Sequence, residues 1–286
     1  MFYYTRIKYD GHMPRYSPSM LNVLATLNKH PLDDRIVFEE ASHTYTIDGS
    51  TQGWKSCTGF LHCFFKPFVP DEVIANMMRS PKWPQSKYFG KTPDEIKKQW
   101  TDSSSFGTQM HLDIEIYYNR LKGEESMFAS WTPDQSPEWT MFLNYHERVG
   151  SLFEPYRTEW VVFDIDHKIA GSIDMVYKKP DGTLAIYDWK RVEDIKTENR
   201  WDHGLGPLAH LPDTNYWHYT VQLNIYKYIL ERHYGVTVSE LALIVIHPSR
   251  PTWKRYRLNV LTDEVEGMMA ARTKALELGS DAVVIF

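Results

Sequence analysis

Two aspartates and a lysine are the residues of this sequence whose types and spacing most clearly suggest chemistry. Asp174 stands three positions after a glycine in the segment IAGSIDMVYK, and Asp188 and Lys190 close the segment LAIYDWK. Both segments are typical of strands, and side chains alternate along a strand, so Asp188 and Lys190 project from one face. If the two strands pair as a hairpin, Asp174 and Asp188 meet at the same end of a sheet.

Paired carboxylates of this kind predict a metal site. Two adjacent carboxylates repel each other unless one is protonated or a cation lies between them. Carboxylate oxygens favour Mg²⁺, for which Mn²⁺ is an expected substitute. Lys190 can then hold the attacking water and offset the charge that develops on a phosphorane-like transition state. An Asp-x-Lys tripeptide alone is a common exposed strand ending, but its place after a Gly-x-x-Asp strand and before a helix favours the catalytic interpretation.

A helix predicted at about residues 214–233 carries three further candidates, Tyr219, Gln222 and Tyr226. Their spacings of three and four residues place them on one helix face. Such a trio is often a solvated glutamine between core tyrosines. Here the helix must pack back on the sheet just beyond the Asp-x-Lys strand, so Gln222 is expected to reach a bound water or a phosphate, and Tyr226 a backbone phosphate.

The elements that must position these residues change character along the chain. The predicted strands cover residues 158–164, 169–178, 184–190, 241–247 and 254–260, and a final helix covers about 262–278. The order is therefore helix, three strands, helix, strand. Antiparallel strands followed by a helical crossover predict an α/β fold with a mixed central β-sheet flanked by helices.

The first half of the chain predicts a helical N-terminal subdomain. Residues 37–49 are typical of a hairpin that turns at Asp48-Gly49. Helices are expected from Pro70, from Thr92-Pro93 with its capping residues, and over about 106–121. The predicted division is an extension over residues 1–36, weakly structured because of its prolines, a hairpin and helical DNA-binding subdomain over 37–104, and a core over 105–286.

Composition excludes several classes of protein. Lys plus Arg is 32 and Asp plus Glu is 37, a net charge of −5, which excludes a globally basic nucleic-acid clamp but leaves room for a local basic groove. The two cysteines cannot supply a four-thiolate iron–sulfur cluster and favour a reducing, intracellular compartment over secretion. No membrane-spanning run, secretory signal or nucleotide-binding phosphate loop is found. Aromatic residues make up 14% of the chain, which suits either a packed core or stacking surfaces.

Taken together, these motifs resemble the PD-(D/E)xK nuclease superfamily. More narrowly, they resemble the branch of RecB-type nuclease domains and the mitochondrial genome-maintenance exonuclease, whose further element Gly-Thr-x-x-His is matched here at residues 107–111, with Glu115 one turn later. The upstream hairpin and helices are similar to the N-terminal part of virus- and phage-encoded members. The resemblance implies an αβββαβ core.

The resemblance also implies roles for particular residues. It implies metal ligation by His111, Asp174, Asp188 and the carbonyl of Trp189, and catalytic roles for Asp174, Asp188, Lys190, Gln222, Glu159 and Glu115. Candidates for nucleic-acid contacts are Tyr219, Tyr226, Ser104, Ser105, Arg191, Trp131 and Lys87. Ser104 and Ser105 are expected to precede the His111 helix, where they either cap it or help capture a phosphate. Lys87 belongs to a stretch of mixed aromatic and basic residues that suits a single strand.

The sequence thus predicts a Mg²⁺-dependent DNA exonuclease that acts on single-stranded or ended DNA in replication, recombination or repair, together with partner proteins of those processes. Two alternatives remain open. One is a structure-specific endonuclease of the same fold on DNA or RNA. The other is a catalytically inactive nucleic-acid-binding module.

Overall fold

The structure is a computed structural model that describes residues 18–279, so the expectations for residues 1–17 and 280–286 lie outside the described part. Within it, one six-stranded mixed sheet forms the centre and a separate two-stranded sheet lies at its side. The strands are β1 Ile36–Glu39, β2 Thr44–Ile47, β3 Lys55–Ser56, β4 Glu154–Asp164, β5 Ile169–Lys178, β6 Leu184–Lys190, β7 Val238–Val245 and β8 Lys254–Arg257. The predicted α/β fold is confirmed.

The central sheet follows the order β3-β5-β6-β7-β8, with β4 also paired to β5. The β4–β5, β5–β6 and β7–β8 pairs are antiparallel, whereas β3–β5 and β6–β7 are parallel. The parallel β6–β7 pair requires a crossover, and the helix between these strands supplies it. This is the expected sequence of a hairpin, a helical crossover and a further strand.

Strand β5 forks the sheet. β4 pairs with β5 at both of its ends, and a strand has only two edges, so β3 and β6 must share the other edge. β3 pairs with Ile169 and Ala170, and β6 pairs with residues 175–178. In the described chain, the stretch 171–174 therefore has no strand partner on that second edge. The end of the sheet opens at this fork.

Helices cover both faces of the sheet. They are α1 Val23–Leu27, α2 Cys57–His62, α3 Pro70–Arg79, α4 Pro93–Arg120, α5 Pro137–Arg148, α6 Asn215–His233 and α7 Thr262–Glu277. α2, α6 and α7 pack in one apolar cluster on one face, and α4 and α5 pack in a second cluster on the other. Among the described residues, no helix is long and apolar enough to cross a membrane.

All seven residues of β6 are buried, and their side chains alternate between the two clusters. Leu184 and Ile186 pack on the α6 side, while Tyr187 and Trp189 pack on the α4 side. The alternation therefore turns Asp188 toward α6 and the open fork, as the period-two pattern of the sequence predicts.

Helix α4 is one continuous helix of 28 residues, where the sequence suggested two. Its start is as predicted, because Thr92 and Glu95 form a capping box and Pro93 follows the cap. The serine and threonine run in its middle does not break the helix. The hydroxyls of Thr101, Ser105 and Thr108 each donate to the carbonyl four residues earlier, so they are satisfied within the helix.

The proposed boundary between residues 104 and 105 consequently falls inside α4. The expectation of a weakly structured N-terminal extension is wrong for its described part. Met20 and Leu24 are buried, and the backbone amide of Leu24 donates to the side chain of Asn119 on α4 at 2.9 Å. Packing against the long helix outweighs the prolines that suggested disorder.

The hairpin of β1 and β2 turns earlier than predicted, at residues 40–43. Ile36 lies opposite Ile47 in this register, and both are buried. Asp48-Gly49 makes the next turn, in which Ile47 and Ser50 exchange backbone hydrogen bonds. The φ angles of Asp48 and Gly49, 49° and 78°, suit a two-residue turn of the expected kind. Burial of the isoleucines fixes the register.

Candidate active site

A cavity of about 420 Å³ lies at the fork of the sheet. Its walls come from β4, β5 and β6, from helices α2, α4 and α6, and from the β1–β2 hairpin. Eight of the predicted site residues line it: His111, Glu159, Asp174, Asp188, Lys190, Tyr219, Gln222 and Tyr226. Residues that are distant in the sequence thus share one volume of the size typical of ligand sites.

The two aspartates lie side by side at the point where β6 leaves β5. The last pair of the β5–β6 ladder is Met175 with Tyr187, so Asp174 and Asp188 occupy the next position. The Asp174 carboxylate accepts a hydrogen bond from the backbone amide of Trp189 at 3.0 Å. This bond replaces the missing ladder bond and fixes Asp174 at the fork.

Lys190 lies against Asp188 with 2.6 Å between Nζ and Oδ2, and both side chains are buried. The same ammonium group lies over the ring of Tyr219, 4.9 Å from its centroid. Burial raises the pKa of Tyr219 to about 12, so its hydroxyl stays neutral beside the cation. These two contacts hold the Lys190 side chain in the cavity wall.

His111 projects from α4 toward both strands. Its Nε2 lies 3.0 Å from the carbonyl oxygen of Trp189, which can only accept, so Nε2 carries the proton of that bond. Its Nδ1 lies 3.5 Å from Asp174 Oδ2 and 3.7 Å from Glu159 Oε1. Ligand atoms of His111, Glu159 and Asp174 all lie within 4.8 Å of one another.

The three carboxylates of the site, Glu159, Asp174 and Asp188, are only partly balanced by the ammonium group of Lys190. Burial, together with the neighbouring Asp188 carboxylate, raises the pKa of Asp174 to about 7. Burial would lower the pKa of His111, but Asp174 and Glu159 outweigh it and raise that pKa. A positive charge placed among these groups would be favourable, because it would relieve the repulsion between the carboxylates.

Glu159 holds a strained backbone conformation. Its φ is 42°, in the left-handed region that residues other than glycine rarely adopt, and it lies on β4 across from Asp174. The flanking pairs, Thr158 with Met175 and Trp160 with Ile173, keep a regular register. The side chain of Glu159 accepts a hydrogen bond from Ser172 Oγ at 2.9 Å. Strain of this kind is commonly retained at functional sites.

Helix α6 supplies the remaining wall. The amide nitrogen of Gln222 lies 3.3 Å from Thr58 Oγ1 and 3.4 Å from the hydroxyl of Tyr226. Tyr226 is buried and packs on Gly171, where an added Cβ would come within 2.7 Å of the ring. The glycine of the Gly-x-x-Asp motif is therefore required by the close approach of this tyrosine.

Two predicted residues are placed elsewhere. Glu115 follows His111 by one turn of α4 but is buried and is not among the residues that line the cavity. Trp131 is also buried, and its indole nitrogen donates to Asp113 at 3.1 Å. The proposal that Trp131 stacks on a nucleic acid is wrong, because its ring is part of the core on the α4 side.

The two serines need a similar correction, whereas the nucleic-acid contacts of Arg191 and Lys87 stay predictions. Ser104 and Ser105 lie inside α4, so they neither cap that helix nor provide a phosphate site at its N-terminus. Arg191 donates hydrogen bonds to Glu138 at 2.7 Å and to Ser103 at 3.2 Å, and its contact with a nucleic acid stays a prediction. Lys87 is exposed and pairs with Glu193, so its role in strand binding stays a prediction.

Sequence reasoning missed several cavity residues. Ser172 and Thr58 contact Glu159 and Gln222, and the hairpin contributes an aromatic group. Ser172 was signalled by its place within the Gly-x-x-Asp motif. Thr58 had no such signal, because the short helix α2 that carries it has only its Ser56 cap as a marker.

The donor set fits a divalent metal ion. Asp174, Asp188 and Glu159 offer carboxylate oxygens, and His111 offers one imidazole nitrogen. Oxygen-rich sets with a single imidazole suit Mg²⁺ and Mn²⁺. The carbonyl of Trp189, which was expected to be a ligand, orients His111 in this structure, as groups behind metal-binding histidines commonly do.

Comparison with known proteins places the chain in a family. The sequence model of the PD-(D/E)XK nuclease superfamily matches residues 85–282, well over half of the chain, and the protein belongs to this superfamily. Membership supports a nuclease function with a nucleic-acid substrate, and members typically use divalent metals.

Other comparisons add little. No curated protein matches the chain. The crystal structure of SSO0001 is similar over 79% of this chain and 78% of its own, at 14% identity and a TM-score of 0.35. At this level of similarity, no site residue of this protein is inferred from that structure.

Proposed function

We propose that this protein is a metal-dependent exonuclease that hydrolyses the phosphodiester bonds of DNA. The observation that carries the proposal is the convergence in one cavity of the buried residues His111, Asp188 and Lys190 with Asp174, whose side chain is 14% exposed. Among the gathered carboxylates, Lys190 pairs with Asp188, and a bound cation would relieve the remaining repulsion among them. Mg²⁺ is the proposed ion, with Mn²⁺ as a substitute.

In this proposal His111, Glu159, Asp174 and Asp188 hold the metal. When bound, the metal polarises the scissile phosphate and lowers the pKa of a coordinated water. Lys190 orients the attacking water and offsets negative charge on the phosphate oxygens as the bond to phosphorus forms. Gln222 hydrogen-bonds to the same water or to a phosphate oxygen, and Tyr226 keeps Gln222 in place through its hydroxyl.

The preference for an exonuclease rests on the resemblance of the motifs to exonucleases that thread single strands. Roles in replication, recombination or repair belong to the same proposal, as do partner proteins from those processes. An endonuclease of the same chemistry and an inactive binding module are the outcomes against which the proposal is tested.

The test measures digestion of linear DNA labelled at its 5′ or 3′ end, beside a closed single-stranded circle, with Mg²⁺, Mn²⁺ or EDTA. We expect the linear strands to be shortened from an end, the circle to survive, and EDTA to stop the reaction. Cleavage of the circle would establish an endonuclease. Binding without hydrolysis under any metal would establish the inactive module.

A variant test assigns the activity to this site. Lys190→Ala should lower the rate by roughly 100-fold or more, because charge stabilisation and water orientation are both lost. Lys178→Ala is the matched control, since Lys178 is exposed at the far end of β5. Unchanged hydrolysis by pure Lys190→Ala protein would refute the proposed mechanism.

A further inference from the structure

The β1–β2 hairpin places an aromatic group in the wall of the catalytic cavity. Phe38 and Tyr45 lie directly opposite each other in the hairpin register, and both line the cavity together with His43. The rings of Phe38 and Tyr45 stack at 4.5 Å with an interplanar angle of 27°. His43 meets the ring of Phe38 edge-on at 5.2 Å. We call these three residues the hairpin aromatic cluster.

The cluster is anchored on one side and open on the other. Tyr45 is buried and packs with Ile47 and Phe163 in a small core of its own. Phe38 is half-buried, and His43 is exposed at the turn. A fully structural cluster would bury all three rings, whereas this one presents the outer rings where the cavity meets solvent.

The cluster lies close to the proposed catalytic centre. Val161 packs in the same small core as Tyr45 and Phe38, and it lines the cavity as Glu159 does. Glu159 and Val161 are two residues apart on β4, a separation of about 7 Å along a strand. If a phosphate of the substrate lies near Glu159 and Asp174, the base of that nucleotide or of the next one can therefore reach the hairpin.

We propose that the hairpin aromatic cluster stacks on one unpaired nucleobase of the substrate and so selects single-stranded DNA. The inference rests on the proposed nuclease function and specifies its substrate. Aromatic faces bind any base by stacking, so the contact is tolerant of sequence. A paired base in a duplex is already stacked on its neighbours and would first have to be extracted, which costs free energy.

The cavity lining supports a stacking contact over a purely ionic one. Among the described residues that line it, Lys190 is the only lysine or arginine, and it already contacts Asp188. Attraction to the phosphates is consequently limited at this point of the path. Stacking on the hairpin supplies affinity that does not depend on charge.

The test measures binding of a fluorescent single-stranded oligonucleotide with Ca²⁺ in place of Mg²⁺, and gel analysis verifies that the strand stays intact. Phe38→Ala should weaken binding about tenfold, since one stacking contact is lost. Phe38→Trp should retain it. Val37→Ala is the matched control, because Val37 precedes Phe38 on β1 and is 65% exposed.

A second arm locates the contact on the DNA. We use a series of oligonucleotides, each with one abasic position. One of them should bind wild-type protein as weakly as the intact strand binds Phe38→Ala. The variant should bind that abasic strand no more weakly still, because the stacked base is already missing. Equal affinity of Phe38→Ala and wild type, with melting curves that show both folded, would overturn the proposal. The proposal would also be overturned if Phe38→Ala bound every abasic strand more weakly than wild type does by the same factor.

The two proposals fail in distinguishable ways. Binding is measured without turnover, so a stacking contact can be found even if the protein hydrolyses nothing. Conversely, wild-type digestion of linear DNA with an unchanged Phe38→Ala rate and affinity would leave the nuclease proposal intact and remove the stacking contact.

Discussion

At the scale of single residues, the site is built from groups whose charges the fold does not balance by itself. Asp174 is the clearest case, because burial and Asp188 raise its pKa to about 7. Its unfolded pKa is near 3.8, so ionisation between pH 4 and 7 costs the folded state more than the unfolded state. The metal-free protein therefore loses stability as the pH rises through this range.

Asp174→Asn should stabilise the metal-free protein. The expected gain in melting temperature in EDTA is a few degrees at pH 8 and shrinks toward pH 5, where the wild-type carboxyl is protonated. Thermal unfolding across this pH range measures it. With Mg²⁺ the order should reverse, because only the wild type gains from binding. A variant that is less stable than wild type in EDTA at pH 8 would contradict the interpretation.

Single residues were also the most predictable part of the site. The period-two alternation of a strand was enough to bring Asp188 and Lys190 to one face. The helical period did not predict the position of Glu115 correctly. It fixes the direction of a side chain around the helix axis, but not which part of the sheet that side chain reaches. One turn beyond His111, α4 has moved past the fork, and Glu115 is buried in the packed layer instead.

At the scale of elements, the approach of α6 to β5 depends on Gly171. The ring of Tyr226 occupies the space where any Cβ at this position would be, at 2.7 Å from the nearest ring carbon. Tyr226 in turn contacts Gln222, so the distance between helix and strand sets the shape of the cavity.

Gly171→Ala should force α6 away from β5. We expect a loss of about 1–3 kcal/mol in unfolding free energy, typical of overpacking, together with slower hydrolysis. Chemical denaturation and rate measurements test this. Tyr226→Leu should cost less stability in the Gly171→Ala background than in wild type, because it removes the ring that the new methyl meets, whereas Tyr226→Phe should cost about the same in both, because the contacting ring carbon remains. Wild-type stability of the single variant would show that the layers adapt.

Elements with strong local signals were predicted closely, and those defined by long-range contacts were not. The bounds of β5 and β6 match the predicted ranges 169–178 and 184–190, since both segments are rich in strand-forming residues and the turn at residues 179–183 separates them. The two-residue strand β3 has no pattern of its own and exists because β5 offers it an edge. Helix α4 is longer than predicted because the serine and threonine hydroxyls in its middle donate to backbone carbonyls four residues earlier and so do not interrupt the helix.

At the scale of the whole molecule, the net charge of −5 and the single lysine among the described residues that line the cavity both predict that DNA binding depends only weakly on salt. Three lysines outside the cavity have acidic partners: Lys87 pairs with Glu193, Lys97 with Asp71 at 2.6 Å and Lys98 with Asp102 at 3.5 Å. These exposed pairs are weak and can exchange partners. Attraction of DNA by these three lysines is nevertheless reduced by the neighbouring carboxylates.

Binding of single-stranded DNA should accordingly show a shallow salt dependence. Each phosphate neutralised on a single strand contributes about −0.7 to the slope of log K against log salt concentration. We expect a slope of roughly −1.4 to −2.1 with Ca²⁺ bound, which corresponds to two or three phosphates. Titrations between low and moderate salt measure it. A slope steeper than about −4 would reveal a basic track that involves further residues.

The insertion of β3 into the central sheet has a consequence for how the chain can be divided. The family match begins at residue 85, yet β3 and α2 lie upstream of it and complete the edge of β5 and the wall against α6. A fragment cut at residue 85 or 105 would leave that strand edge and the apolar face of α6 uncovered, a surface prone to aggregation. We therefore expect the upstream and downstream segments to fold as a single unit, so that the part carrying the candidate site cannot be detached from the rest.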